Sequence, residues 1–229
     1  MVIEYPSIKH LDLTEQTYRF LKERILKREI SPGEKISVED IAHGLGVSRT
    51  PVVNALKMLE SEGLVEIQPR RGTFVTHLTE KDVAEMFEIR LLIELYAARQ
   101  IFQEGKIDLL LKAIEEPLSR MQAAMAEDNY INYESFISGD RDLHMNIVRL
   151  LDNQRLIQIY TDLNVHMQVA RAHYLDTVEN AYQAQREHDA MLHAIHKRDM
   201  EGLEAALTEH ISTVEDRILT MLAERGGQL

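Results

Sequence analysis

Residues 37–76 read SVEDIAHGLGVSRTPVVNALKMLESEGLVEIQPRRGTFVT, and the organisation of the chain follows from this stretch. Val38–His43 predicts a short helix that stops at Gly44 and Gly46, the residue type that ends helices at low steric cost. Ser48 offers an N-cap side chain for a second helix. Pro51 falls in its first turn, where a missing N–H costs no hydrogen bond. Val52, Ala55, Leu56 and Leu59 recur at helical spacing, so this helix buries one face. Gly63 ends it, and Leu64, Val65 and Ile67 read as a strand that Pro69 interrupts. Arg70 and Arg71 sit at the following turn, with Gly72 permitting its sharp bend and Thr73 opening a second strand. Helix, tight turn, helix and a two-stranded wing make a winged helix-turn-helix, whose second helix suits the major groove of DNA.

The chemistry of the exposed positions agrees. Ser48, Arg49 and Thr50 stand at the N-terminal end of the second helix, where an arginine fork pairs bidentately with guanine and free N–H groups meet phosphates. Arg70, Arg71, Gly72 and Thr73 form the wing edge offered to the DNA backbone. A solvated cap and a basic surface turn would contain the same residue types, and it is their assembly in one motif that favours double-stranded DNA.

Working outward, residues 1–10 read as an arm, and Leu13–Arg28 as a helix with Tyr18, Leu21, Ile25 and Leu26 on its apolar stripe. Ser31-Pro32-Gly33 is a turn. After Thr76 the pattern becomes helical throughout. Thr79 with Asp82 caps a helix reaching Glu104, before Gly105. Five further helices are expected over about 107–127, 130–151, 154–175, 178–198 and 200–224, with Pro117 kinking the first. The fold class is therefore mostly α: a winged helix-turn-helix over 1–78, then an antiparallel bundle of six helices over 79–229.

Composition sets the outer bounds. The 229 residues carry a net charge of −12 and no cysteine, which removes disulfides and thiolate chemistry. Residues 1–78 hold 11 Lys/Arg and 11 Asp/Glu, so the whole excess of acid belongs to the helical body. A neutral head with a basic edge binds DNA, and an acidic body discourages loose contact with the backbone. No apolar run approaches the ~18 residues of a membrane span and no export signal opens the chain, so a cytoplasmic location is expected. Catalytic triads, P-loops and dinucleotide fingerprints are absent, which weakens generic enzyme readings.

The body holds a second constellation. Asp140 and His144 are four apart on a face with Phe136, Ile147, Val148 and Leu151. His188 shares a stripe with Leu192 and Ile195, and His210 one with Leu203, Leu207 and Val214. One carboxylate and three imidazoles aimed inward suit a divalent ion such as zinc, nickel, manganese or iron. Hydrogen-bonded core histidines give the same pattern; His166 and His173 are rival ligands, while His193 and His196 look lateral. Arg90 lies among Val83, Met86, Phe87, Ile93 and Ala97, so its stem is buried and its guanidinium needs an anion. That anion is either a bound ligand's carboxylate or Glu94, four residues on.

The run GVSRTPV, followed by Leu56, Leu59, Glu60, Glu62 and Gly63-LVEIQPRRGTFV, resembles the GntR family of bacterial transcription regulators. One departure stands out: such proteins carry a second Arg where this chain has Val53, commonly followed by Glu where it has Asn54. In the family that Arg contacts DNA. Asp140-x-x-x-His144 with Asn153, then Glu187-His188, Lys197-Arg198-Asp199 and His210, is similar to the FCD domain of the FadR-type branch over roughly 79–222. The resemblance implies a metal held by Asp140, His144, His188 and His210, and an effector contact at Arg90. A single head buries too little surface for strong specificity, so a homodimer on two-fold operator DNA is expected, with a small organic acid bound at the metal and Arg90; by family habit that acid relieves repression. A metalloenzyme body tethered by the head, or a sensor for which the ion alone is the signal, are the rival readings.

Overall fold

The structure, a computed structural model, describes residues 13–26, 29–77, 79–125, 131–163 and 178–224. It divides into two compact units, Met1–His77 and Leu78–Leu229.

In the first unit α1 (Leu13–Leu26) buries Thr17, Leu21 and Ile25. Tyr18 is half-buried and donates to Glu62 Oε1 at 2.6 Å, while Lys22 pairs with Glu62 Oε2 at 3.0 Å, tying α1 to the end of α3. α2 (Val38–Leu45) begins where Ser37 accepts from the Asp40 N–H, and it runs through Gly44 to end at left-handed Gly46. Gly44 is therefore a helical residue, and the helix runs two residues past its expected end at His43. α3 (Arg49–Ser61) buries Pro51, Val52, Ala55, Leu56 and Leu59. Each fully buried Leu among them contributes about 1.5–3 kcal/mol relative to exposure.

The wing has three strands rather than two: β1 (Lys35–Ile36), β2 (Val65–Gln68) and β3 (Gly72–Val75), in the antiparallel order β1-β3-β2. β1 is too short to show alternation, and only its pairing of Lys35 with Phe74 and Ile36 with Thr73 identifies it. The β2–β3 turn uses two residues of positive φ, Arg70 at 66° and Gly72 at 120°. A non-glycine residue there is uncommon, since its Cβ crowds the backbone.

The second unit consists of helices packed around one apolar core. α4 (Glu80–Gln103) starts with a full capping box between Thr79 and Asp82. α5 (Ile107–Ala124) carries Pro117 in its interior, α6 (Tyr133–Arg149) is capped by Asn132, and residues 154–163 form α7. α8 (Val178–Lys197) and α9 (Met200–Glu224) complete the unit. Asp152 and Arg198, at φ of 51° and 55°, make two of the breaks between helices. The expected break at Asp128-Asn129 lies outside the described residues, as does the end of the helix expected over 154–175. Val83, Phe87, Ala97, Leu110, Phe136, Val148, Leu207 and Ile218 are at the centre of the core, each at most 1% exposed. α5 packs closely against α6 at Gly139. A Cβ there would lie 2.9 Å from the Pro117 carbonyl oxygen and 2.6 Å from Met121 Cγ. The residue after it is Asp140.

Candidate metal centre and nucleic-acid interface

The four donors converge. Asp140 and His144 from α6, His188 from α8 and His210 from α9 are all buried, and one ligand atom from each lies within 4.8 Å of all the others. His188 Nε2 is 3.1 Å, His144 Nε2 3.6 Å and His210 Nε2 3.9 Å from Asp140 Oδ1, and the last two nitrogens are 3.2 Å apart. Edges of this size are close to those around one ion bonded at about 2.0–2.2 Å to nitrogen and oxygen. His193 and His196 are exposed, in keeping with their lateral positions; His166 and His173 lie outside the described residues.

The hydrogen bonds around the cluster decide what it fits. His144 Nδ1 lies 2.6 Å from Glu94 Oε2, and His210 Nδ1 lies 2.9 Å from Glu187 Oε2. A carboxylate on Nδ1 holds the proton on that nitrogen and directs the bare Nε2 lone pair at the centre. With both carboxylates ionised, two lone pairs face one another at 3.2 Å, an arrangement that a cation between them relieves. His188 gives a second sign: neither of its buried ring nitrogens has a hydrogen-bond partner, although Nε2 is 3.1 Å from Asp140. Burial holds His188 and His210 below the ordinary imidazole range, which keeps them neutral as metal ligation requires. Burial also pushes the Glu187 carboxyl up to about 7, against the pull of Arg217 at 3.3 Å. A cation in the cluster would draw it back down. Three nitrogens, one hard oxygen and no sulfur fit a divalent ion of the zinc, nickel, manganese or iron kind.

Arg90 is fully buried and adjoins this cluster. Its Nε donates to Glu94 Oε1 at 2.7 Å, so the intrahelical pair does form. The pair leaves both terminal nitrogens, Nη1 and Nη2, buried with no hydrogen-bond partner among the described residues. Glu94 Oε1 also accepts from the Tyr160 hydroxyl at 2.5 Å. Burial alone would raise the Glu94 carboxyl, but His144 and Arg90 outweigh it and hold the group ionised, well below the usual carboxylate range.

Sequence reasoning found the four donors and Arg90. Beyond Glu94 as an intrahelical partner, it missed the carboxylates that orient the imidazoles, Glu94 and Glu187, and the Tyr160 hydroxyl on Glu94. Glu187 directly precedes His188 and was the more legible of the two carboxylates; Tyr160 gave no signal.

On the first unit Ser48, Arg49 and Thr50 are exposed at the start of α3, together with Val53, Asn54 and Lys57 further along the same face. Ser48 occupies the N-cap position without making a side-chain cap bond. Arg49 Nη2 is 2.7 Å from Glu39 Oε1 of α2. Arg70 and Arg71 are exposed at the wing tip and Gly72 is half-buried. A Cβ on Gly72 would meet Lys35 Cε at 2.7 Å, so glycine lets Lys35 of β1 lie across the tip and join its basic edge. Thr73 is a correction. It is 8% exposed and faces the interior with Val75, which removes it from the DNA-facing set.

Comparison with known proteins bears on both units. Residues 13–75 match the family described as bacterial regulatory proteins, gntR family, and residues 85–213 match the FCD domain. The gluconate operon transcriptional repressor of Bacillus subtilis (strain 168) is 28% identical over 205 residues, covering 86% of this chain and 82% of that protein. The HTH-type transcriptional repressor RspR of Escherichia coli (strain K12) is 25% identical over 209 residues, covering 90% and 89%. A solved structure of a GntR transcriptional regulator from Rhodococcus sp. RHA1 shares the fold, with a TM-score of 0.74 at 19% identity over 90% of this chain and 97% of that one. Among the described residues no helix is long and apolar enough to cross a membrane.

Proposed function

The chain belongs to the GntR family of bacterial regulatory proteins, as a DNA-binding transcription regulator with an FCD domain rather than an enzyme; from that premise we propose that its body binds a divalent metal and a small carboxylate effector. Asp140, His144, His188 and His210 hold the metal, with Glu94 and Glu187 orienting two of the imidazoles. When bound, the metal would supply Lewis acidity toward an oxygen donor. The observation that carries the effector reading is Arg90: two buried guanidinium nitrogens without partners adjoin the donor cluster. A carboxylate satisfies both at once in a bidentate pair.

The mechanism is a population shift. Effector binding favours one arrangement of the bodies, and so changes the presentation of the heads to two half-sites about a helical turn apart. This requires a homodimer. α4 exposes Ile89, Leu92 and Tyr96 on one face. An antiparallel pairing of two α4 helices centred on Leu92 sets Ile89 across from Leu95, and exposed Glu85 across from exposed Arg99. That self-complementarity is what a two-fold interface requires. The repressor sense is supported by the relatives named as repressors.

Metal analysis of the purified protein, with mass spectrometry of any co-purifying acid, tests the body. About one metal per chain is expected in the wild type and close to none in His188→Ala, with head-dependent DNA binding intact in both. Metal-free protein whose operator affinity still responds to an organic acid would remove the four donors from the mechanism. Operator affinity that follows metal alone, unchanged across candidate acids, would make the ion itself the signal.

A further inference from the structure

We propose that Val53 and Asn54 make this chain select an A·T step in the operator half-site, beside the base read by Arg49. Val53 does so through a thymine 5-methyl group and Asn54 through the N6/N7 edge of an adenine. The inference deepens the DNA-binding reading of α3 and rests on it.

The outward face of α3 consists of Arg49, Thr50, Val53, Asn54 and Lys57, all exposed, while Pro51, Val52, Ala55, Leu56 and Leu59 face the core. Val53 is the anomaly in that row. It is apolar, yet 36% of its surface is exposed at the middle of the face. In the major groove one base feature rewards an apolar side chain, the thymine methyl. Opposite a G·C pair, Val53 would instead strip water from the groove-facing lone pair of guanine O6 or the groove-facing N–H of the cytosine amino group and offer nothing in return.

Asn54 is the complementary case. It is exposed, and its amide makes no hydrogen bond within the described residues, so donor and acceptor are both free. One donor and one acceptor on a short stem match adenine N7 and N6, whereas guanine offers two acceptors on that edge. Thymine and adenine are the two halves of A·T pairs, so neighbouring residues 53 and 54 demand compatible base steps. Arg49 is one helical turn earlier, about 6 Å along the axis, which puts its guanine within about two base pairs of this step. Lys57, a flexible cation one turn later, suits a phosphate and carries no sequence information.

The test uses the full chain and random-sequence DNA selection, followed by replacing each thymine of the enriched site with uracil. That exchange deletes the methyl and keeps the base pairing. The wild type should lose about fourfold in affinity at one thymine per half-site, and Val53→Ala should abolish that sensitivity at the same position. Val53→Arg should move the selected base there to guanine. Asn54→Ala should relax the adenine preference at least fivefold. Both side chains are exposed, so these variants keep the fold, and circular dichroism checks it. Uracil without effect at every position, or an equal loss in Val53→Ala, overturns the inference while leaving a sequence-specific DNA binder. No enriched sequence for the wild type overturns the inference together with the DNA-binding reading beneath it.

Discussion

Arg49 and Arg90 each pair with a glutamate at 2.7 Å, and the two pairs are energetically unlike. The Arg49–Glu39 pair is exposed, at 70% and 62% of the side-chain surface, while Arg90 and Glu94 have none exposed. At the surface, water competes for both ions and the pair contributes about 0–1 kcal/mol. In the interior, desolvation costs several kcal/mol per ion, and the charges survive there because Tyr160 and His144 add hydrogen bonds to Glu94. Distance therefore does not rank these contacts; burial does. The difference also suits the two tasks. On the proposed reading, a guanidinium that must leave its partner for a base is held loosely, whereas one that awaits an anion is anchored through a glutamate that is itself held from several sides.

The strongest way to break this contrast is Glu94→Leu. It leaves Arg90 buried without its counter-ion and should cost the body about 3–5 kcal/mol in denaturant unfolding. A loss under 1 kcal/mol would mean that Arg90 reaches water, and the contrast would fall. Next is Arg49→Ala, expected to cost ~1–3 kcal/mol of operator affinity and to relax selection at one base. A loss uniform across all DNA sequences would make Arg49 a phosphate contact instead. Gly139→Ala sets overpacking of about 1–3 kcal/mol against a helix-propensity gain of at most about 1 kcal/mol, so a net loss of about 1–2 kcal/mol is expected in thermal unfolding. Unchanged stability would show that α5 yields at Pro117. The smallest effect belongs to Glu39→Gln, which should change head stability by no more than ~0.5 kcal/mol. A larger destabilisation would raise the surface pair towards its buried counterpart.

Much of the fold was legible because local signals and periodicity agreed. The Thr79–Asp82 box, Gly105 and the stripes of α3, α6, α8 and α9 each reported burial and element ends together. β1 was invisible, since two residues hold no period. Thr73 was misjudged although the signal existed: alternation along β3 groups it with Val75 and turns Phe74 to the other side. The donor cluster was legible as four inward polar residues on three helices, but the third dimension of the site was not. Nothing local says that Glu94 reaches His144, fifty residues away, or that Gly139 carries no side chain because Pro117 and Met121 occupy that space.

Glu94 has two oxygens and three partners, Arg90, Tyr160 and His144. Those four positions are consequently one energetic unit. Exchanging any member alone strands the others, so each will score as intolerant when substituted singly, whatever its direct part in binding. Paired replacements that remove the charge and its counter-charge together should recover much of the loss, because interaction energies within one hydrogen-bonded network do not add. If an effector carboxylate docks on Arg90 as proposed, a change of effector would be expected to change these residues in blocks. The exposed face of α3 has no such shared partner among the described residues, so its positions can change one at a time.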